Sequence, residues 1–239
     1  MLSARIKNMR AFIILLATAA FIAAPFVTPP FMGYDPGLFP VYIDRPSIQP
    51  AGYAFAIWGV IYLWLLVSAV FGLLRRDDVS WRRTAIWHFG ALTLGTIWLA
   101  IANGYPLTAT ATIIVMAGFA LAAFLAANPI KDRWWLQAPL GLFAGWLTAA
   151  SMVSLGVVVS GYGLLSDTTT AMAMLTAILA AAIVVQTRRP TMPTYSASVV
   201  WAAIGVAVVN WDPNPPVAIA ALLGAALQTA VAARAFFRR

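Results

Sequence analysis

Residues 50–67 read PAGYAFAIWGVIYLWLLV: a proline suited to the first turn of a helix, then no charge as far as Val67. A membrane-spanning helix needs about 20 mainly apolar residues, and this run continues uncharged to Leu74. It holds two tryptophans and two tyrosines, more than fit in the interfacial belt where such rings usually lie. Phe55, Trp58 and Tyr62 are three and four apart, so they share one helix face. Trp58 is about 12 Å in from Pro50 at the helical rise, and Trp64 points about 240° away from it. Such a stripe inside a bilayer either packs helix against helix or lines a pocket, and spacing alone leaves both readings open.

The whole chain has the same character. Of 239 residues 62% are hydrophobic and 9% charged, against about 25% charged in a soluble domain. This is the composition of a polytopic membrane protein whose first partner is the lipid bilayer. There is no Cys, so disulfides, thiolate nucleophiles and Cys metal sites are excluded. All seven acidic residues are Asp, and there is one His, which leaves little for hydrolytic or metal chemistry. An enzyme is the least expected class and no metal site is expected. The net charge of +8 reads as topology rather than as a nucleic-acid surface.

The fold class expected is all-α, a membrane helix bundle with eight candidate spans: 11–30, 50–74, 84–102, 107–127, 137–160, 168–187, 194–211 and 215–233. Charge supports that count. With eight spans, fourteen of the fifteen basic residues fall on one side, from Arg5, Lys7 and Arg10 through Arg75, Arg76, Arg82, Arg83, Lys131, Arg133, Arg188 and Arg189 to Arg234, Arg238 and Arg239. Only Arg45 falls on the other, with Asp35, Asp44, Asp167 and Asp212. Seven or nine spans would scramble the pattern. The positive-inside rule makes the crowded side cytoplasmic, with both termini there. The basic start and apolar run of the first segment resemble a signal peptide, but Pro25 follows its small-residue site, so it is read as an uncleaved helix. Segment 31–49, FMGYDPGLFPVYIDRPSIQ, is too apolar for a loose linker and is expected to lie as a lid over the helix ends.

The remaining motifs divide by depth. Trp81, Trp87, Trp134, Trp135 and Trp211 sit near predicted helix ends and suit the aromatic belt. Trp58, Trp64, Trp98, Trp146 and Trp201 lie deeper, where an indole N–H wants a partner. Gly90, Gly95, Gly141, Gly145 and Gly156 permit close helix packing. His88 reads as a polar interfacial residue. Ser151 and Ser154 have no base nearby in sequence. No charge lies deep in any span, which weighs against an ion-coupled pump.

At PAGYAFAIWGVIYL the chain resembles the tryptophan-rich sensory protein family (TspO/MBR), also called the translocator or peripheral benzodiazepine receptor family. Its second helix opens with a proline and aromatics and continues Val-Trp-x-x-Leu-Tyr; here Ile57, Trp58, Ile61 and Tyr62 take those places. Its third helix carries Leu-Asn-x-x-Trp; LTLGTIWLAIAN supplies Trp98, with Gly95 at the Asn position. Its fifth carries Trp-x-x-Phe-Ala-x-x-Leu-Asn; GWLTAASMVS supplies Trp146 and Ala150, with Ala149, Val153 and Ser154 in place of Phe, Leu and Asn. The resemblance covers about residues 10–160. It implies a TspO-like five-helix domain (1–160), with three additional helices (161–239) packed on it.

The resemblance also implies an aromatic pocket under the loop joining the first two helices, lined by Phe55, Trp58, Tyr62, Trp98, Trp146 and Ser154. The expected ligand is an apolar planar molecule, tetrapyrrole-like or lipid-like, and a bound tetrapyrrole is the one cofactor it suggests; porphyrin degradation enters by resemblance only. The expected function is a membrane binding or sensory protein. The alternatives are a transporter of a small organic solute or an assembly partner of another membrane complex. A homodimer is compatible with all three, and the setting implied is a bacterial inner membrane. On this topology, a reporter active only outside the cytoplasm and fused after Arg239 should be silent; activity would overturn the eight-span reading.

Overall fold

The computed structural model describes residues 2–237. Arg238 and Arg239 lie outside the described residues, as do the side chains of Arg5 and Lys7. Eight long helices follow in order: α1 (Leu2–Val27), α2 (Ile57–Leu74), α3 (Val79–Ala102), α4 (Pro106–Ala126), α5 (Ala138–Gly161), α6 (Asp167–Arg188), α7 (Thr194–Asn210) and α8 (Pro215–Phe237). Seven are long and apolar enough to cross a membrane; α7, with 17 residues, is the short one. Among the described residues there is no strand. In hydrocarbon each backbone N–H and C=O must be bonded within its own segment, which leaves the helix as the local solution.

Local chemistry sets where the helices begin. The α3 helix starts at Val79, five residues before the apolar run, because the Asp78 carboxylate accepts from the N–H of Ser80 (2.7 Å) and Trp81 (3.4 Å). His88 lies in the third turn of α3 and is 4% exposed, covered by its neighbours at the basic end. Burial pushes the Asp78 carboxyl up, but its bonds to Lys131, Ser80 and Trp81 outweigh this and hold it below the usual range. Residues Gly52–Ala56 are a 3-10 turn leading into α2, so the stripe of Phe55, Trp58 and Tyr62 begins one turn outside the α-helix. Before α5, Asp132 has a φ of 51° and is followed by a π-turn, Arg133–Gln137.

The loops sort to two ends. At one, Arg75 Nε meets Asp132 (3.0 Å) and Lys131 meets Asp78. There too Arg133 donates to the Thr191 carbonyl, Arg189 donates to the Leu125 carbonyl, and the Arg133 guanidinium lies over the Phe236 ring. The predicted basic loops are thus physically together. At the other end, Val41 N–H reaches the Gly161 carbonyl (2.9 Å) and Asn210 Nδ2 reaches the Ser47 carbonyl (2.7 Å). Helix α7 reaches both ends: Thr194 bonds Ala138 at the first and Asn210 bonds Ser47 at the second. Its 17 residues span about 25 Å, and it packs among α5, α6 and α8.

The axis of the bundle is α5, buried on nearly every side and packed on α2, α4, α6 and α7. Glycines let α7 approach it. A Cβ built on Gly145 would come closer than 3.0 Å to both Ser198 Oγ and the Tyr195 carbonyl oxygen, and one on Gly141 would meet Thr194 Oγ1 as closely. Replacement of Gly145 by Ala should therefore lower the thermal midpoint of the purified protein by an amount typical of an overpacked core, about 1–3 kcal/mol. The same change at Gly118 on α4, whose Cβ would meet nothing within 4 Å, should leave it unchanged or raised. Equal behaviour of the two variants would refute the close α5–α7 contact.

Candidate functional site

The ring stripe faces inward. Trp58 and Tyr62 stack at 5.4 Å between centroids, and Phe21 of α1 meets both edge-on, at 5.9 and 5.2 Å. Across the gap, Trp146 of α5 stands edge-on to Phe55 and to Trp58, each at 6.1 Å. Trp98 of α3 meets Phe31 at 4.9 Å. Such edge contacts suit ring quadrupoles and contribute about 0.5–1.5 kcal/mol each beyond buried area. Phe55, Trp58, Tyr62, Trp98 and Trp146 all line one chamber between α1, α2, α3 and α5, with about 840 Å³ between its atoms, part of it open at the mouth.

Phe55, Trp98 and Trp146 also border a second chamber nearer the lid, of about 520 Å³ on the same measure, where Ser154 lies. The six residues singled out from the sequence thus border two adjoining chambers with shared walls, together an aromatic slot.

Three polar features mark it. Trp146 is 2% exposed and its Nε1 has no hydrogen-bond partner. Three of the other four deep indoles differ: Trp98 donates to the Ala109 carbonyl (2.9 Å), Trp201 to Ala54 (2.8 Å) and Trp64 to Trp134 (3.0 Å). Trp64 and Trp201 border neither chamber. Second, Tyr34 from the lid bonds Ser154 Oγ (2.5 Å) and Thr110 Oγ1 (3.3 Å), and Thr110 and Ser154 are 2.9 Å apart. Burial raises the Tyr34 phenol above its usual pKa, against the opposing effect of the Ser154 and Thr110 bonds, so it stays a neutral donor. Third, among the described residues no group of three or more His, Cys, Asp or Glu could hold a metal ion.

Several slot residues carried no sequence signal. Phe21 lies in an apolar helix with no distinctive spacing, and its ring explains Gly95: a Cβ there would collide with Phe21 and with Met116. The space where the resemblance expects an Asn side chain is filled by that ring. Tyr34 and Thr110 could have been found only from the lid's fold. Gly33 has a φ of 129°, accessible to glycine at little cost, and this lets Phe31 and Tyr34 both turn inward.

The lid is fixed by the later helices. Both Asp167 oxygens accept from the Ser47 N–H (3.0 and 3.1 Å), and Asp167 also takes the Ser47 hydroxyl. Asn214 bonds Ser47 Oγ (3.0 Å), and Ala51 N–H bonds the Gly205 carbonyl (3.0 Å). Hydrogen bonds to a charged group contribute about 1.5–3 kcal/mol. Asp167→Ala should therefore speed hydrogen exchange of residues 31–49 about tenfold or more while α3 and α4 keep their protection. Unchanged exchange would show that the lid is held by its apolar contacts alone.

The chain matches, over residues 8–234, the model of a family described as TSPO-like protein. The match reaches past residue 160, where the motif resemblance stops, and takes in α6, α7 and most of α8. No curated protein and no solved structure matches it.

Proposed function

The chain belongs to the TSPO-like protein family and is an integral multi-pass membrane protein; from this and the slot geometry we propose that it binds a flat, largely apolar molecule between α1, α2, α3 and α5, beneath the 31–49 segment. The observation that carries the proposal is the unbonded Trp146 N–H, buried among ring faces that border both chambers. A buried donor without a partner costs about 1–3 kcal/mol, and a ligand that presents a carbonyl or carboxylate oxygen beside it removes that cost. Ring faces supply stacking area, and the Trp146 N–H supplies a donor to orient the ligand. This is the usual division of labour in a small-molecule site. A tetrapyrrole has both features, a flat conjugated face and peripheral carboxylates. The Tyr34, Thr110 and Ser154 hydroxyls bond one another and so tie the lid to α4 and α5.

The direct test is the absorbance spectrum of the protein purified from its native membrane, in which a bound tetrapyrrole would be visible. Added protoporphyrin should also quench the tryptophan fluorescence saturably. Trp58→Leu removes one stacking face and should weaken binding several-fold, from about 0.5–1.5 kcal/mol. Trp146→Phe keeps an aromatic face, though a smaller one, deletes the N–H and should cost a similar factor. Trp64→Leu, whose indole is engaged with Trp134, should bind as the parent does. Parental affinity in both Trp58 and Trp146 variants would reduce these rings to packing and remove the basis of the reading.

A further inference from the structure

A second recess lies at the opposite, basic end, between α1, α2 and α3, with about 530 Å³ between its atoms. Arg10, Arg76 and Arg82 border it with exposed side chains. Among the described residues no hydrogen bond or ion pair engages these three guanidiniums. The acids nearby are already in use: Asp78 holds Lys131, Asp132 holds Arg75 and the Trp81 indole (2.9 Å), and Asp77 is itself engaged. Three cations, from α1, the α2–α3 turn and α3, therefore border one recess with no acidic residue among the described residues of its lining. Deeper in the recess stands His88, 4% exposed, with its Nε2 unbonded. In either tautomer that nitrogen can meet a polar group, as donor to an ester carbonyl or as acceptor from a hydroxyl.

The rest of the recess is mostly apolar, with Ile14, Ala69 and Gly72 among its walls beside the hydroxyls of Ser68 and Thr84. Through Arg76 and Ala11 it adjoins a shallow open hollow formed with Met9, Phe12 and Leu73 on the outer surface of the bundle. A free inorganic anion has no use for a greasy exit. A molecule with a phosphate, an ester region and hydrocarbon chains matches each part in turn. We propose that the recess between α1, α2 and α3 seats one anionic phospholipid, its phosphate among the guanidiniums of Arg10, Arg76 and Arg82 and its glycerol-ester region against His88. The acyl chains leave along Met9 and Phe12. The site is separate from the aromatic slot and does not depend on what the slot binds.

The test is native mass spectrometry of the full-length protein in detergent, titrated with dioleoyl phosphatidylglycerol, with dioleoyl phosphatidylcholine and with inorganic phosphate. One phosphatidylglycerol should be retained much more tightly than phosphatidylcholine of the same chains, and inorganic phosphate should neither bind measurably nor displace it. The pair Arg76→Gln with Arg82→Gln should lose about tenfold or more in apparent affinity. Arg188→Gln, an exposed cation on another face, should lose nothing. If the double variant does not survive purification, Arg10→Gln, on an exposed side chain, should show about a fivefold loss. Equal retention of the two lipids would overturn the proposal. So would full affinity in the folded arginine variants, an equal loss in Arg188→Gln, or phosphate alone displacing the lipid.

Discussion

A methyl group at position 145 would collide with the Tyr195 carbonyl oxygen and with Ser198 Oγ, and the bundle depends on the approach that this glycine allows. Lipid tails are as apolar as leucine, so no hydrophobic gain draws one helix to another inside a membrane. Association rests on close van der Waals packing and on hydrogen bonds between helices. The α5–α7 contact has both. Gly141 and Gly145 let the backbones approach, Thr194 Oγ1 bonds the Ala138 carbonyl (2.9 Å), and Tyr195 OH bonds Thr148 Oγ1 (2.9 Å). With α7 fixed on one side of α5, helices α2 and α4 close on the others. The slot is the space that this arrangement leaves beneath the lid.

The later helices have a role in that space without bordering much of it. Ala202 is the one α7 residue among the linings of the two chambers, and neither α6 nor α8 contributes any. Their polar ends instead hold the lid, through Asp167, Asn210 and Asn214 on Ser47 and through Gly205 on Ala51. A loop of apolar residues at a membrane surface could settle in many ways. Directed bonds from three helix ends to one serine choose a single placement, and Phe31 and Tyr34 enter the slot as a result. The order of the site therefore depends on bonds made outside it.

Two of the buried polar groups left without partners belong to these regions. The Trp146 indole lies at the aromatic slot and the His88 imidazole at the basic recess, one near each end of the bundle. A third, Gln137, is fully buried at the end of the π-turn with both amide atoms unbonded, and nothing in its surroundings explains it. In a low-dielectric interior an unpaired donor is costly, and most structures avoid the cost. Here two such groups belong to residues that border a cavity, one among rings and the other behind arginines.

The sequence by itself determined the fold class, the eight helices and the grouping of basic loops at one end, because each follows from local apolar length and from charge order along the chain. It also marked Phe55, Trp58 and Tyr62 as one face, since spacings of three and four align on a 3-10 turn and on an α-helix alike. The starts of helices were less legible. Counting apolar residues began the third span at 84, whereas the Asp78 cap begins it at Val79. The tertiary structure alone decided the partners: Phe21 in the space opposite Gly95, Tyr34 on Ser154 across 120 residues, and Asp167 on Ser47 across another 120. A hydropathy pattern records how much of each helix is apolar. It does not record which helix lies opposite, because in a bilayer every apolar face has lipid as an equally good neighbour, and the choice falls to close contacts and single hydrogen bonds.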